Sequence, residues 1–198
     1  MVKPSRRAAV FIDRDGVLNR VHVRNGKPFA PQTTADFRLL PGVPAATQRL
    51  RDQGYFLVLV TNQPDIGNGR VSDVVVAAIH QQLRARIPLD DIRICPHGQA
   101  ARCDCRKPKP GMLLAAARDH NIDLAASYMV GDRISDVIAG NAAGCYTIFV
   151  ERSYAESDGL AVPANATVRS FPEAVRHILS REARRVPPRS SRDIPPRN

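Results

Sequence analysis

The chain has no tryptophan, only 5% aromatic residues and only four cysteines among its 198 residues. It has no apolar run near the roughly 20 residues that a membrane-spanning helix needs, so we expect no membrane partner. The apolar stretch 8–12 is too short for the core of a signal peptide and is followed at once by Asp13. We therefore expect a cytoplasmic protein, in which clustered cysteines indicate metal binding or catalysis rather than disulfides.

Acidic residues are scarce relative to basic ones, and the net charge is +10. The excess lies mostly at the two ends, with +3 on residues 1–7 and +4 on residues 181–198, which leaves +3 for the residues between. Because a nucleic-acid-binding domain carries a basic patch on its folded surface, this distribution argues against nucleic acid as the partner. We expect one domain over 1–180 and a disordered tail, rich in Arg and Pro, over 181–198.

Short apolar stretches alternate with helical patterns through the middle of the chain. The pattern predicts strands over 8–12, 55–60, 91–95, 127–130 and 145–150, and helices over 43–53, 73–86, 111–119 and 135–143. Such alternation predicts an α/β fold, a Rossmann-like parallel sheet with helices on both faces.

Residues suited to phosphate chemistry follow the predicted strands, where ligands of open α/β sheets bind. They are Asp13 and Asp15 after the first strand, Thr61 and Asn62 after the second, Lys107 in a later loop, and Asp132 after the fourth. Clustered carboxylates repel each other unless a cation neutralises them, and an all-oxygen ligand set suits Mg²⁺. Taken singly, each of these residues is also typical of a turn, a helix cap or a solvated surface, without any catalytic role.

The order of these residues predicts a covalent mechanism. Asp13 is placed to attack phosphorus and form an aspartyl-phosphate. Asp15, two residues further on, is placed to protonate the leaving group and then to activate water. The Thr61 hydroxyl and nearby backbone N–H groups would hold phosphate oxygens, and Lys107 would neutralise the charge on the transferring group.

A second cluster of possible ligands lies immediately before Lys107. Its members are Cys95, His97, Cys103 and Cys105. Three cysteines and one histidine complete a tetrahedral zinc site with no open position, so we expect a structural zinc-binding loop. The alternatives are free cysteines beside a surface histidine, or a disulfide. We expect the zinc to rigidify the loop that carries Arg106 and Lys107, and we expect Cys145 to lie in the core.

Four motifs together resemble the haloacid dehalogenase superfamily of phosphatases. They are Asp13-Arg-Asp-Gly-Val-Leu-Asn19, Thr61-Asn-Gln63, Lys107, and Gly131-Asp132-Arg-Ile-Ser-Asp136. Cys105-Arg-Lys-Pro108 and the Cys/His loop are more closely similar to the branch of D,D-heptose 1,7-bisphosphate phosphatases and histidinol-phosphate phosphatases. The resemblance implies that Asp13, Asp132 and the backbone carbonyl of Asp15 bind Mg²⁺. It also implies that Asn62 and Lys107 bind phosphate, with Arg106 and Arg133 as substrate contacts.

The resemblance also constrains the substrate. The intervals between motifs, where larger cap domains insert in this superfamily, are filled by predicted core elements and the zinc loop, so we expect no separate cap domain. Residues 20–36 form a predicted loop whose basic side chains either meet a second phosphate or remain solvated. We expect a monomer acting on a small phosphorylated metabolite, with a sugar bisphosphate favoured.

The sequence is compatible with four hypotheses for the function. The leading one is removal of the 7-phosphate from D-glycero-D-manno-heptose 1,7-bisphosphate. Histidinol phosphate or another sugar phosphate is the alternative, because 64–68 departs from the usual heptose-enzyme pattern and the gap between His97 and Cys103 is short. A zinc-containing nucleic-acid-binding module and a DNA 3′-end phosphatase are the readings from other classes.

Overall fold

A computed structural model describes residues 6–153 and 164–185. Its strands are β1 (Ala9–Ile12), β2 (His22–Arg24), β3 (Lys27–Phe29), β4 (Phe56–Asn62), β5 (Asp91–Cys95), β6 (Tyr128–Gly131), β7 (Tyr146–Val150) and β8 (Ala166–Val168). Its α-helices are α1 (Val43–Asp52), α2 (Pro64–Gly67), α3 (Asp73–Arg84), α4 (Gly111–His120), α5 (Ile134–Ala143) and α6 (Phe171–Arg185). A single 3₁₀ turn, Leu124–Ala126, precedes β6.

Six strands form one sheet in the order β5-β4-β1-β6-β7-β8. Every neighbouring pair is parallel, and Val10 of β1 is in register with Leu57 of β4 and with Tyr128 of β6. Because β1 lies between β4 and β6, the residues that follow these three strands meet at the middle of the carboxyl edge. The sheet topology thus brings the predicted phosphate-binding residues to one place.

Successive residues of β1 point to opposite faces of the sheet, as strand geometry requires. Val10 and Ile12 belong to a core shared with α1, α3 and α6, whereas Ala9 and Phe11 belong to a second core shared with α4 and α5. Both faces are therefore covered by helices, which explains why the whole strand is apolar and buried. The predicted fold class is confirmed.

Three features of this fold were not predicted from the sequence. The segment 20–36, predicted as a loop, contains the antiparallel hairpin of β2 and β3, whose short strands are largely exposed. The edge strand β8 and the helix α6 were not predicted at all. Within 6–153 and 164–185 no separate cap domain is present, and no helix there is both long and apolar enough to cross a membrane.

The helix α6 passes the predicted start of the tail at residue 181 and ends at Arg185. The reason is that its last turns are still bound to the sheet. The Arg181 guanidinium lies 4.2 Å from the centroid of the Tyr146 ring, and the Tyr128 hydroxyl donates a hydrogen bond to Glu182. Residues 181–185 therefore belong to α6 and not to the predicted tail. The rest of that tail, 186–198, lies outside the described residues.

Neighbouring leucines of α4 provide a test of the second core. Leu113 is fully buried in that core, whereas Leu114 is 42% exposed. We expect Leu113→Ala to lower the free energy of unfolding by about 2–5 kcal/mol, because it leaves a cavity. Leu114→Ala, the matched control, should change it by less than about 0.5 kcal/mol. Urea unfolding of both variants measures the difference, and equal losses would contradict the assigned packing.

Candidate active site

The loop after β1 is shaped by a tight turn at the carboxyl edge of the sheet. The backbone N–H of Asp13 donates to Val130 of the neighbouring strand at 2.9 Å, which extends the ladder by one residue. Gly16 then adopts a φ of 86°, a left-handed conformation that glycine reaches without steric cost. The Nε of Arg152 donates to the Gly16 carbonyl at 2.8 Å and fixes the turn. The turn leaves Asp13 and Asp15 at the same opening.

The ammonium group of Lys107 lies at the centre of the site, and this residue is only 3% exposed. Its Nζ is 2.7 Å from Asp13 Oδ1, 2.6 Å from Asp136 Oδ1 and 2.7 Å from the carbonyl oxygen of Val60. Burial alone would lower the pKa of Lys107, but the two carboxylates raise it above its ordinary value. Lys107 is therefore a fixed cation with three acceptors for its three N–H groups.

The backbone of Lys107 is held by Asn62 at the end of β4. The Asn62 side chain donates to the Lys107 carbonyl at 3.0 Å and accepts from the Lys107 N–H at 3.1 Å. This reciprocal pair connects two residues that are 45 positions apart and brings the lysine to the sheet edge. Asn62 thus positions Lys107, in addition to lining the cavity where the sequence predicts that it binds phosphate.

Three carboxylates gather beside Lys107. One oxygen each from Asp13, Asp132 and Asp136 lie within 4.8 Å of one another. Burial, followed by repulsion from Asp136 and Asp15, raises the pKa of Asp13 to about 6 despite the attraction of Lys107. Burial and the charges of Asp13 and Asp136 raise the pKa of Asp132 well above its ordinary value. The cluster holds more negative charge than Lys107 neutralises.

The hydrogen bonds of this cluster distinguish its members. Asp136 uses Oδ1 for Lys107 and Oδ2 to accept from the Arg133 N–H at 3.0 Å, so it also caps α5. By contrast, Oδ1 of Asp132 is buried and has no hydrogen-bond partner among the described residues. An orphaned carboxylate oxygen beside Asp13 is what a hard divalent cation such as Mg²⁺ binds. The residues present fit that ion.

Gly131 is required by the close approach of α5 to β6. A Cβ atom at this position would lie 2.2 Å from both Cβ and Oδ2 of Asp136. No side chain fits in that space, so only glycine allows Asp136 to reach Lys107.

Asp15 has the opposite electrostatic environment to Asp13. Arg14 donates from Nε and NH2 at 2.9–3.2 Å, Asn19 donates to Oδ1 at 3.0 Å, and Gln63 donates to Oδ2 at 2.8 Å. Burial opposes ionisation, but the Arg14 charge and these hydrogen bonds outweigh it and lower the pKa of Asp15 below its ordinary value. Asp15 is therefore an anionic carboxylate at the cavity wall.

A cavity of about 650 Å³ opens above these residues. Of the residues predicted from sequence, it is lined by Asp13, Asp15, Asn62, Arg106, Lys107 and Arg133. Lys27 of the β2–β3 hairpin and Arg70 after α2 add further positive charge to its wall. Thr61 and Asp132 are not among the lining residues, and the fully buried Thr61 hydroxyl accepts from Gln63 at 2.8 Å instead.

The Cys/His loop brings its four predicted ligands together. Nδ1 of His97 is 3.6 Å from Sγ of Cys95 and 3.3 Å from Sγ of Cys105, and the Cys95 and Cys103 sulfurs are 3.7 Å apart. These sulfurs are too far apart for a disulfide, whose S–S bond is about 2.05 Å. Ligands at about 2.0–2.3 Å from a tetrahedral zinc ion would lie about 3.5–3.8 Å from one another. The loop therefore has the geometry of a zinc site. Cys145 is buried in the core, as predicted.

Several residues of the site had no role predicted from the sequence. Asp136 and Gln63 lie inside the sequence motifs, so their place in those motifs could have marked them as site residues. Asn19 ended the first motif, and Arg14 lay between its two aspartates. His80 lies in α3, where it is buried and its Nε2 is 3.0 Å from Arg14. Nothing in the sequence marked that contact.

Known proteins are similar to this chain in sequence and in fold. The family model of HAD-hydrolase-like proteins matches residues 104–174. A D-glycero-beta-D-manno-heptose-1,7-bisphosphate 7-phosphatase of Haemophilus ducreyi is 41% identical over 157 residues, which cover 73% of this chain and 83% of that protein. The D-glycero-alpha-D-manno-heptose-1,7-bisphosphate 7-phosphatase of Mycobacterium bovis is 34% identical over 183 residues, covering 85% of this chain and 91% of that protein.

A solved structure supports the same relationship. The D,D-heptose 1,7-bisphosphate phosphatase from B. bronchiseptica, complexed with magnesium and phosphate, superposes with a TM-score of 0.77 at 30% identity. The match covers 88% of this chain and 99% of that one. Because sequence identity and fold agree over most of both proteins, this chain belongs to the HAD-hydrolase-like phosphatases, in the family of the heptose 1,7-bisphosphate 7-phosphatases.

Proposed function

We propose that this phosphatase removes the 7-phosphate of D-glycero-D-manno-heptose 1,7-bisphosphate through an aspartyl-phosphate on Asp13. The observation that carries the proposal is the pairing of Asp13 with the buried Lys107 at the base of a cation-lined cavity. The names of the relatives supply the substrate, and they include both anomers.

In the first step a carboxylate oxygen of Asp13 attacks phosphorus and forms a new P–O bond. The bond from phosphorus to the sugar oxygen breaks, and its electron pair stays on that oxygen. Asp15, which is anionic in the free protein, first takes up a proton from solvent and then delivers it to the leaving oxygen. Lys107, held by Asp13, Asp136 and Val60, supplies a fixed positive charge to the transferring group.

In the second step a water oxygen attacks the phosphorus of the aspartyl-phosphate. Asp15 accepts the proton of that water, and the bond between phosphorus and the Asp13 oxygen breaks. Asp13 is regenerated as a carboxylate, and inorganic phosphate leaves. The lowered pKa of Asp15 supports this second role, because the anion is the form that accepts a proton.

Asp13 and Asp132 are the residues proposed to hold Mg²⁺, together with the backbone carbonyl of Asp15. When bound, Mg²⁺ neutralises charge on phosphate and carboxylate oxygens alike. Asp136 instead orients Lys107, since both of its oxygens already have partners.

A bisphosphate accounts for the distribution of charge around the cavity. Lys107 and Asp13 lie at its base, whereas Lys27, Arg70 and Arg106 line its wall on separate segments of the chain. Arg70 also pairs with Asp65 at 3.6 Å, and Arg106 contacts the His97 carbonyl, but a single phosphate at the base would meet none of these three cations. A second phosphate on the substrate would meet them, and Arg133 remains a proposed substrate contact.

We propose a structural zinc ion at Cys95, His97, Cys103 and Cys105, as supported by their spacing. The zinc would stiffen the turn that carries Arg106, whose NH1 is 3.5 Å from the His97 carbonyl. Unpaired cysteines persist in a reducing compartment, which supports a cytoplasmic location. We also propose that the enzyme is a monomer.

The substrate is tested by a kinetic comparison in the presence of Mg²⁺. We expect kcat/KM to be highest for heptose 1,7-bisphosphate, tested as separate α and β anomers, and lower for histidinol phosphate, nucleotides and a 3′-phosphorylated oligonucleotide.

The nucleophile is tested by Asp13→Asn, whose kcat/KM should fall at least about 10³-fold, because an amide is a poor nucleophile. Asp119→Asn, at a half-exposed position, is the matched control and should stay within about twofold. A preference for histidinol phosphate would contradict the substrate, and an active Asp13→Asn would contradict the mechanism.

The metal site is tested by the thermal stability of Asp132→Asn. Folded Asp13, with its pKa of about 6 against 3.8 for the free side chain, binds protons more strongly than the unfolded chain. The stability of the Mg²⁺-free protein should therefore fall as pH rises from about 4 to above 6. At pH 7.5, Asp132→Asn should raise the Tm of the Mg²⁺-free protein, since it removes a crowded buried charge.

Mg²⁺ provides the second half of this test. At 100 times its Kd, Mg²⁺ should raise the Tm of the wild type by roughly 5–10 °C at pH 7.5, and by less at pH 5. Asp132→Asn should abolish that shift, whereas Asp119→Asn should retain it. A normal Mg²⁺ shift in Asp132→Asn would remove Asp132 from the metal site.

The zinc site is tested by elemental analysis of two cysteine variants. We expect about one zinc ion per wild-type chain, almost none in Cys103→Ala, and an unchanged content in Cys145→Ala, whose thiol lies in the core. Activity should fall in Cys103→Ala, because Arg106 and Lys107 follow the loop directly. Unchanged zinc in that variant would refute the assignment.

A further inference from the structure

Arg14 is the largest fully buried side chain of the described residues, with 0% exposure. All three of its nitrogens have acceptors within the fold. Nε lies 3.2 Å from both oxygens of Asp15, NH2 lies 2.9 Å from Oδ2 of the same carboxylate, and NH1 lies 3.0 Å from Nε2 of His80. The guanidinium thus connects the β1 loop to helix α3.

A buried guanidinium is costly unless acceptors meet the N–H groups along the edges of its plane. Asp15 satisfies one edge of the fork, and His80 satisfies the other. Burial and the nearby Arg14 charge lower the pKa of His80 to about 4, so at neutral pH its ring is uncharged. The Nε2 lone pair can then accept from Arg14, which a protonated ring would be unable to do.

We propose that Arg14 and His80 are positioning residues for Asp15: His80 fixes the Arg14 guanidinium, and the guanidinium fixes both carboxylate oxygens of Asp15 in their orientation at the cavity wall. This inference rests on the proposed function, in which Asp15 delivers a proton to the leaving oxygen. Neither Arg14 nor His80 lines the cavity, so they act through Asp15 and not on the substrate.

Arg14 restrains Asp15 more strongly than the other donors do. Asn19 donates a single hydrogen bond to Oδ1, and Gln63 donates a single hydrogen bond to Oδ2. The fork of Arg14 contacts both oxygens, and such bidentate pairs fix an orientation as well as a distance. Removing the His80 acceptor frees one end of the fork and loosens the restraint, with no atom of the cavity changed.

The consequence is specific to steps that need a proton from Asp15. A sugar alkoxide is a poor leaving group and needs that proton, whereas p-nitrophenolate leaves without it. We expect His80→Phe, which keeps a ring but removes the acceptor, to slow single-turnover phosphoenzyme formation from heptose 1,7-bisphosphate about tenfold. From p-nitrophenyl phosphate the loss should stay below about twofold. A general loss of structure would slow both substrates alike.

Three further variants complete the experiment, all with Mg²⁺ present. His80→Gln restores an acceptor for Arg14 and should recover the rate on heptose 1,7-bisphosphate to within about threefold of the wild type. Arg14→Lys keeps the charge but loses the bidentate fork, so it should show the same selective loss and serves if His80→Phe does not fold. His177→Phe is the matched control at a half-buried histidine that bonds the Tyr146 hydroxyl, and it should leave the ratio of the two rates unchanged.

Equal losses on both substrates, or no loss on either, in His80→Phe and Arg14→Lys would overturn the inference. Failure of the proposed function is a separate result, because the wild type would then form no phosphoenzyme or would not turn over heptose 1,7-bisphosphate. If the wild type prefers another sugar phosphate, that substrate is compared with p-nitrophenyl phosphate instead. The same two outcomes would then overturn the inference.

Discussion

The ion pairs of one buried lysine are the constraint on which the rest of this site depends. Lys107 satisfies Asp13, Asp136 and a strand carbonyl at the same time, at a position that water hardly reaches. A buried charge without partners is very costly, so each partner must be held in place. Asn62 holds the lysine backbone, and the absence of a side chain at Gly131 admits Asp136.

Two aspartates of one motif differ in their pKa values because their surroundings differ. Asp13 lies among other carboxylates and is raised in pKa, whereas Asp15 lies among donors and is lowered. Environments that separate the pKa values of neighbouring acids are how enzymes divide roles between chemically identical groups. Here the lowered pKa suits Asp15 as the base that accepts the proton of water, while Lys107 partly offsets the rise in the pKa of the nucleophile Asp13.

The sequence predicted the parallel sheet, the strand ends and most residues of the site, because each signal was local. Apolar runs mark β1 and β4, and the motifs that follow them stand at the carboxyl edge. The local sequence does not determine which side chains face the cavity. Thr61, predicted to hold phosphate, is fully buried, and its hydroxyl accepts from Gln63, which also donates to Asp15.

Contacts between distant segments were also beyond the sequence. The pair of Arg14 and His80 depends on the rotation of α3 about its axis, which an amphipathic pattern determines only to within a face. The end of helix α6 was missed because its charged last turns resemble a tail until their aromatic partners on the sheet are known. Where a polar residue is paired across the fold, composition alone misassigns it.

The β2–β3 hairpin has a consequence for how such an enzyme can diversify. It contributes Lys27, Pro28 and Phe29 to the cavity wall, yet its strands add no fully buried residue to either core. Substitutions there leave the packing of the sheet untouched and cost little stability. Natural selection can therefore vary the ligand that the cavity accepts, through the hairpin, while the carboxylates and the lysine beneath it stay the same.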